Sequence, residues 1–557
     1  MKKILSLYIV LISLAIQAQQ VQDTVKTEVI NVTRSFEPKV QDAYKLDVSP
    51  EIDKLPEQKI PVDFHIQSVP VASTFTPEKG GMATFNAGNM AEDVYKSYAS
   101  LAGGNYTQIK GDAYVYYPVN DKLGSAFRFS HYSSQGQHVD DGISYDPFYH
   151  TSADLLFDYK NPNSRWNFDL GYNGHINYLK QAASVIMTIL PVEYNTFQNK
   201  HNNFVLTAQG EFDDLIIDDI NFSYNNFWDG FDNSENKIHV LGNLKFPVGG
   251  IDLKLGLQTD WVGGDLGRVG FVKEYSGLVV SYKNMDFGVL PAIQIENEKL
   301  VLNAGAKIFY QNQDTLYNSI QFIPDAKASL NLIEEKLTVF AGVTGDLQQN
   351  SQMALSAKNP YLSSDTPVLP TLIPYDIFGG FNGAFSSAFS YEVSLGFRKI
   401  KNYPFYNYNG FYVEKYNLLY DDMAQSYFDT AFNIGIGRKF DMKLHLTYLQ
   451  NDPEHLRKAL FIPDFSFKSI LIFRPTDKLN FNATVHSLGD MYYASRINRH
   501  IGDYTDLNLG VRYNINKQFT GFLQADNVLG KAYQMYYRYP VQKFQIMAGA
   551  TYRFDMF

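Results

Sequence analysis

The densest grouping of side chains able to do chemistry is His138-Val139-Asp140-Asp141-Gly142, with Asp146 and His150 close behind. Hard divalent ions want several oxygens, so carboxylates and imidazoles gathered this closely are a candidate cation site. The spacing matches no metal-binding pattern, however, and a solvated loop accounts for it better. Asp213, Asp214, Asp218 and Asp219 form a second acidic group, read as turn and lumen charges. Gly263-Gly264-Asp265-Leu266-Gly267-Arg268-Val269-Gly270 is rich in glycine but lacks the dinucleotide fingerprint, and reads as a loop. Gly530-Lys531-Ala532 lacks the hydroxyl that a phosphate-binding loop carries. Neither a Gly-x-Ser-x-Gly elbow nor a His-Glu-x-x-His pair occurs. His445 and His486 point to one side of their segments and could approach acids such as Asp490. On this reading there is no catalytic residue, no metal ligand set and no cofactor, and the chain is not an enzyme.

Composition narrows the class further. The 557 residues include no cysteine, which excludes disulfides, thiolate zinc sites, a cysteine nucleophile and a lipid-modified N-terminal cysteine. Residues 1–18 carry Lys2 and Lys3, then a mostly apolar run, then Ala18 where a signal peptidase would cut. That order predicts a cleaved signal peptide and export, because the apolar run is short for a permanent spanning helix. Removing it takes two lysines and leaves 46 basic against 58 acidic residues, a balance that argues against a nucleic-acid partner. No long apolar run follows, and helical apolar stripes are few. Instead there are 40 tyrosines and 41 phenylalanines among abundant Asn, Asp and Gly, a composition suited to strands with aromatic girdles.

The elements that must position these residues are strands of one kind. A strand crossing a bilayer needs about 9–11 residues with period 2, one set facing lipid and the other the lumen. Ile251, Leu253, Leu255, Leu257 and Trp261 alternate with Asp252, Lys254, Gly256, Gln258 and Asp260. Met442, Leu444, Leu446 and Tyr448, then Leu479, Phe481, Ala483 and Val485, then Phe544, Ile546, Ala548, Ala550, Tyr552 and Phe554 behave alike. Tight turns recur at 118–122, 161–163, 213–214, 247–250, 296–299, 333–336, 386–388, 438–441, 475–478 and 515–518. Between them fall longer connections near 104–109, 135–149, 177–200, 228–235, 264–283, 312–318, 349–375, 401–427, 451–463, 489–503 and 529–541. This alternation of short and long connections predicts an all-β fold, a transmembrane antiparallel β-barrel of about 22 strands, within 20 to 24. Short turns face the periplasm, long loops face outward, and the expected location is the outer membrane of a Gram-negative cell. Residues 94–557 form the barrel on this reading, and 19–93 a periplasmic N-terminal extension, extended or partly ordered.

The C-terminal strand carries Gly549, Tyr552 and Phe554, followed by Asp555, Met556 and Phe557. This resembles the β-signal read by barrel-assembly machinery, although the usual signal ends on its aromatic residue. Asp526-Asn527-Val528-Leu529-Gly530-Lys531-Ala532-Tyr533 and the stretch 536–540 resemble the final hairpin of TonB-dependent receptors. The resemblance covers roughly 94–557 and itself implies a 22-stranded barrel. It thins toward the N-terminus, where 19–93 is too short for that family's full plug domain. Within it, Asp23, Thr24, Val25, Glu28, Val29, Ile30 and Val32 faintly resemble a TonB box, an extended segment that adds as a strand to its partner; an ordinary periplasmic tail is the plainer reading.

A barrel this wide needs filling, since barrels of 22 strands are plugged. The candidates are 19–93, loops 349–375 and 401–427 folded down, or another protein, with 69–75 and 370–381 as apolar pieces able to fill. Aromatic stretches 403–412 and 533–539 read as girdle residues in preference to a grip on sugars or a partner. The leading functional expectation is a receptor-like barrel lacking a full plug, a subunit of a larger complex for transport, secretion or outer-membrane protein assembly. A TonB-dependent importer with a reduced plug and a loop-constricted porin are the alternatives. Expected partners are outer-membrane lipid, the assembly machinery, other outer-membrane or periplasmic proteins, and TonB.

Overall fold

The computed structural model describes residues 95–555 apart from 139–143, 146, 180–196, 214, 250, 267–279, 314–316, 364–365, 410–414 and 495–498. The signal peptide, the 19–93 extension and the TonB-box-like residues Asp23, Thr24, Val25, Glu28, Val29, Ile30 and Val32 lie outside these, as does most of the His138–Asp146 grouping.

Twenty-two antiparallel strands form one sheet in which each pairs with its neighbours in sequence. The first, Ser97–Gly104, pairs with Gln108–Pro118 on one side and with the last, Gln545–Phe554, on the other. That seam closes the barrel and leaves no strand edge for lipid to face, which a bilayer requires because it offers no hydrogen bonds. Each of the ten predicted turns joins two strands by two to four residues, and the eleven connections on the opposite end fall where expected, although 105–107, 230–233 and 314–316 are as short as the turns. One connection is far shorter than expected. Strands Phe389–Asn409 and Lys415–Ile436 consume most of 401–427 and stand as a hairpin twice as tall as a bilayer crossing. The expected fillers at 370–381 are also wall, inside strand Thr371–Ser386.

Alternation sorts the two faces as predicted. Leu253, Leu257, Phe287, Ile293, Phe322, Ile377, Leu395, Leu523 and Ile546 are exposed on the lipid side. Aromatic rings gather on that side at the short-turn end: Trp166 meets Phe212 edge-on, and Tyr552 lies 4.7 Å from Phe519. The lumen side is polar. Arg128 Nε donates to Asp154 at 2.9 Å, and His445 bonds Asp429 at 2.9 Å instead of approaching Asp490, which pairs with His500.

Glycines mark close approaches in the wall. Gly549, in the closing strand, faces the lumen beneath the ring of Phe522, and a Cβ there would stand 2.6 Å from the carbonyl of Leu101. Gly263 and Gly264, read from sequence as loop, lie in strand Ile251–Leu266; a Cβ on Gly264 would stand 2.6 Å from the hydroxyl of Tyr282, its cross-strand partner. Glycine here makes room for a ring instead of making a turn.

Candidate functional site: a crossbar in the barrel mouth

The one α-helix among the described residues, Gln352–Lys358, sits in the loop between strands Leu337–Gln348 and Thr371–Ser386. Its start is written locally. Ser351 is extended (φ −147°, ψ 150°), and its hydroxyl accepts from the N–H of Ala354, so the cap satisfies a donor that a helix start leaves open. Seven residues are too few to hold a helix in water, so its order must come from tertiary contacts.

Those contacts come from several walls. Glu235 accepts from the N–H groups of Gln352 (2.8 Å) and Met353 (3.3 Å) and from the Tyr282 hydroxyl (2.5 Å). A carboxylate facing a helix N-terminus meets both unpaired donors and the positive end of the helix dipole. Lys237 Nζ donates to the Gln349 carbonyl at 2.7 Å, Asn284 to the Val368 carbonyl at 2.8 Å, and Asn199 to the Pro360 carbonyl at 2.8 Å. From the tall hairpin, Tyr406 donates to Leu355 and Tyr420 to Pro367, while Leu362 forms a parallel bridge with Tyr416. The Tyr536 hydroxyl donates to the Lys358 carbonyl; burial pushes its ionisation far up, so the proton it donates stays in place. The described residues of 349–370 therefore form a crossbar, joined at both ends to its own strands and held between the tall hairpin on one side and Phe197–Phe212, Ser234–Val248 and Val280–Glu296 on the other.

An apolar core seals the tie. Val262, Leu266, Leu355, Leu362, Val368, Tyr416, Leu418, Tyr536 and Tyr539 are buried together. Tyr361 stacks on Tyr539 with centroids 3.5 Å apart, and Tyr493 on Tyr537 at 3.9 Å. In the stretches expected as girdle, Tyr403, Phe405, Tyr406, Tyr408, Tyr536 and Tyr539 thus pack in the cores of the mouth. A second cluster, with Phe405, Met423 and Leu460, joins loop 454–464 to the tall hairpin. Asp421 fastens that loop by accepting from the backbone of His455 and Leu456 and from His455 Nδ1. The hydrogen bond and the charge of Asp421 raise the affinity of the exposed His455 for its proton.

The residues singled out in sequence are scattered. Gly549 stands in the middle of the closing strand and Tyr552 and Phe554 at its short-turn end, with Tyr552 facing lipid. Asp219 accepts from Asn221 and Asn243. Asn527, in the hairpin-like motif, adopts φ 47° and bridges the carbonyls of Lys531 and Gln542, so that motif staples a mouth loop. Among the described residues no group of three or more His, Asp or Glu is arranged to hold a metal ion. Glu235, Lys237, Tyr282 and Asn284 were not singled out from sequence. Glu235 and Tyr282 fall within stretches read from sequence as long connections, 228–235 and 264–283, and nothing local says that a loop from elsewhere meets any of the four.

No protein-family model matches the sequence, and no curated protein does. Solved structures do match. The FrpB iron transporter of Neisseria meningitidis superposes with a TM-score of 0.63 at 11% identity, over 83% of this chain and 82% of that one. The closed form of the ferric-catecholate import receptor Fiu of Escherichia coli gives 0.59 at 11%, over 83% and 82%. The pyoverdine outer-membrane receptor FpvA of Pseudomonas aeruginosa, bound to pyoverdine, gives 0.60 at 12%, over 83% and 78%. Such identities speak to fold, and they agree with the strand count and the turn pattern. The chain is an outer-membrane β-barrel with the fold of the TonB-dependent-receptor-like barrels.

Proposed function

We propose that the protein is an import receptor, energised through TonB, that captures a small ligand on its outer face. The carrying observation is the crossbar: a segment anchored by seven side chains and an aromatic core across the mouth of a receptor-type barrel suits a gated path better than an open pore. Solved structures that share the fold include iron transporters and siderophore receptors by their own descriptions, so ferric chelates are the first ligands to try. Asp23, Thr24, Val25, Glu28, Val29, Ile30 and Val32 are proposed to pair with TonB as an added strand. Gly549, Tyr552 and Phe554 are proposed as the feature the assembly machinery reads. The division into signal peptide 1–18, periplasmic extension 19–93 and barrel 94–557 belongs to the same proposal. The expectation of a subunit in a larger complex draws no support from these likenesses.

The test is deletion of residues 23–32 in cells starved of iron, with uptake of a panel of labelled ferric siderophores as readout. Barrel abundance in the outer membrane should hold while uptake falls to background. Undiminished uptake would sink the TonB reading.

A further inference from the structure

Strands Ser234–Val248, Ile251–Leu266 and Val280–Glu296 pair in unbroken register, so their inward side chains stand in level rows. The uppermost row is Glu235, Gly264 and Tyr282; the next is Lys237, Val262 and Asn284. Both rows hold the crossbar. One step nearer the periplasm the row is His239, Asp260 and Asp286, continued by Gln311 of strand Leu300–Gln313. Closure of the mouth does not use this third row.

Its two carboxylates differ in a telling way. Asp260, 5% exposed, accepts from His239 Nδ1 at 2.8 Å and Gln258 Nε2 at 2.7 Å. Asp286, on the neighbouring strand directly opposite, is 2% exposed, and neither of its oxygens has a hydrogen-bond partner. Buried polar groups are almost always paired, and like charges facing each other across two strands repel. The cation one row above, Lys237, gives its ammonium to the Gln349 carbonyl, and His239 gives Nδ1 to Asp260. The charge of Lys237 reaches Asp286 through space, but no donor fills its two open oxygens.

We infer that Asp260 and Asp286 together bind a hard, oxygen-preferring divalent cation of the Ca²⁺, Mg²⁺ or Mn²⁺ class. With two carboxylates and no third acidic or imidazole ligand in place, the site is of the part-hydrated kind, in which water completes the shell and Gln311 stands at its edge. The ion lies directly beneath the crossbar's anchors. It ties together the two strands that carry Tyr282, Asn284 and Val262, so its binding stiffens the platform on which the crossbar rests.

The test uses the full-length protein, folded in detergent micelles and stripped with chelator, and titrates it with Mn²⁺ alone while electron paramagnetic resonance reads the loss of the free-ion signal. Wild type should take up about one Mn²⁺ per chain at this site, displaced by excess Ca²⁺ or Mg²⁺. Asp286→Asn keeps the shape, removes the charge and should weaken uptake at least about ten-fold. Asp260→Asn removes the same site from the adjacent strand, so failure of one variant to fold leaves the other to decide. Asp154→Asn, at a lumen carboxylate paired with Arg128, should leave uptake unchanged. Equal uptake by wild type and both site variants overturns the inference. So does absence of Mn²⁺ uptake by wild type.

Discussion

Replacing Glu235 by alanine cuts the crossbar at its best-anchored point, and the size of the effect can be worked from the contacts. The carboxylate accepts two short hydrogen bonds, from Tyr282 and Gln352, and a longer one from Met353. The bond from Tyr282 joins two wall strands, so the crossbar itself is held by those from Gln352 and Met353; hydrogen bonds to a charged group contribute roughly 1.5–3 kcal/mol each, and these two amount to about 3–6 kcal/mol. Removing a buried carboxylate also relieves its desolvation, which offsets part of that loss. A net loosening of about 3 kcal/mol follows, and at 1.4 kcal/mol per decade the detached population rises roughly a hundred-fold. Glu235→Gln keeps one acceptor oxygen but turns an amide toward a donor, and should produce about half that free-energy change. Hydrogen exchange read by mass spectrometry on peptides covering 349–370 measures the opening directly. The alanine variant should lose about two decades of protection there, while peptides from strand Met442-bearing Phe440–Pro453 keep theirs. If protection in 349–370 stays within about three-fold of wild type, the crossbar is not held from Glu235 and the reasoning is wrong.

Gly264→Val should loosen the same segment from the other side of the contact, because its side chain would occupy the space of the Tyr282 ring; overpacking of this kind costs about 1–3 kcal/mol, seen as faster exchange in 349–370 with a correctly inserted barrel. Gly549→Val should act on the seam, crowding Phe522 and the Leu101 carbonyl, and lower the temperature at which the barrel loses its heat-resistant gel mobility. The His455 contact carries a pH dependence. Its imidazole gains affinity for the proton on folding, so the protonated contact is fully present below about pH 6.5 and fades as pH rises through the higher folded value. Protection factors in 454–464, which remove the base catalysis common to all amides, should therefore fall on the alkaline side, and His455→Gln should flatten that fall.

Closure of the mouth also accounts for where the tyrosines went. Rings at the short-turn end face lipid and make a girdle, whereas Tyr361, Tyr416, Tyr536 and Tyr539 lie in the mouth core. Composition is blind to this division, since an amphipathic ring serves an interface and a half-polar core equally well.

Much of the wall was legible in the residue order. Period-2 alternation and turn chemistry are local signals: Asn297 makes its turn by accepting from the N–H of Lys299 and Leu300, and Asn516 does the same for Gln518 and Phe519. Such signals determined the barrel, the strand number and which ends are short. What the sequence left open was everything that depends on two distant segments meeting. In the residue order Glu235 reads as part of the connection 228–235, and only strand pairing extends the wall to include it; closure of the sheet and descent of 349–370 then decide that Glu235 meets a helix start and Asp286 is left facing Asp260. A lipid-facing and a lumen-facing apolar residue obey the same period, so Tyr416 and Phe405 could be assigned to the mouth only by the tertiary structure, which alone determines what stands on the far side of the barrel.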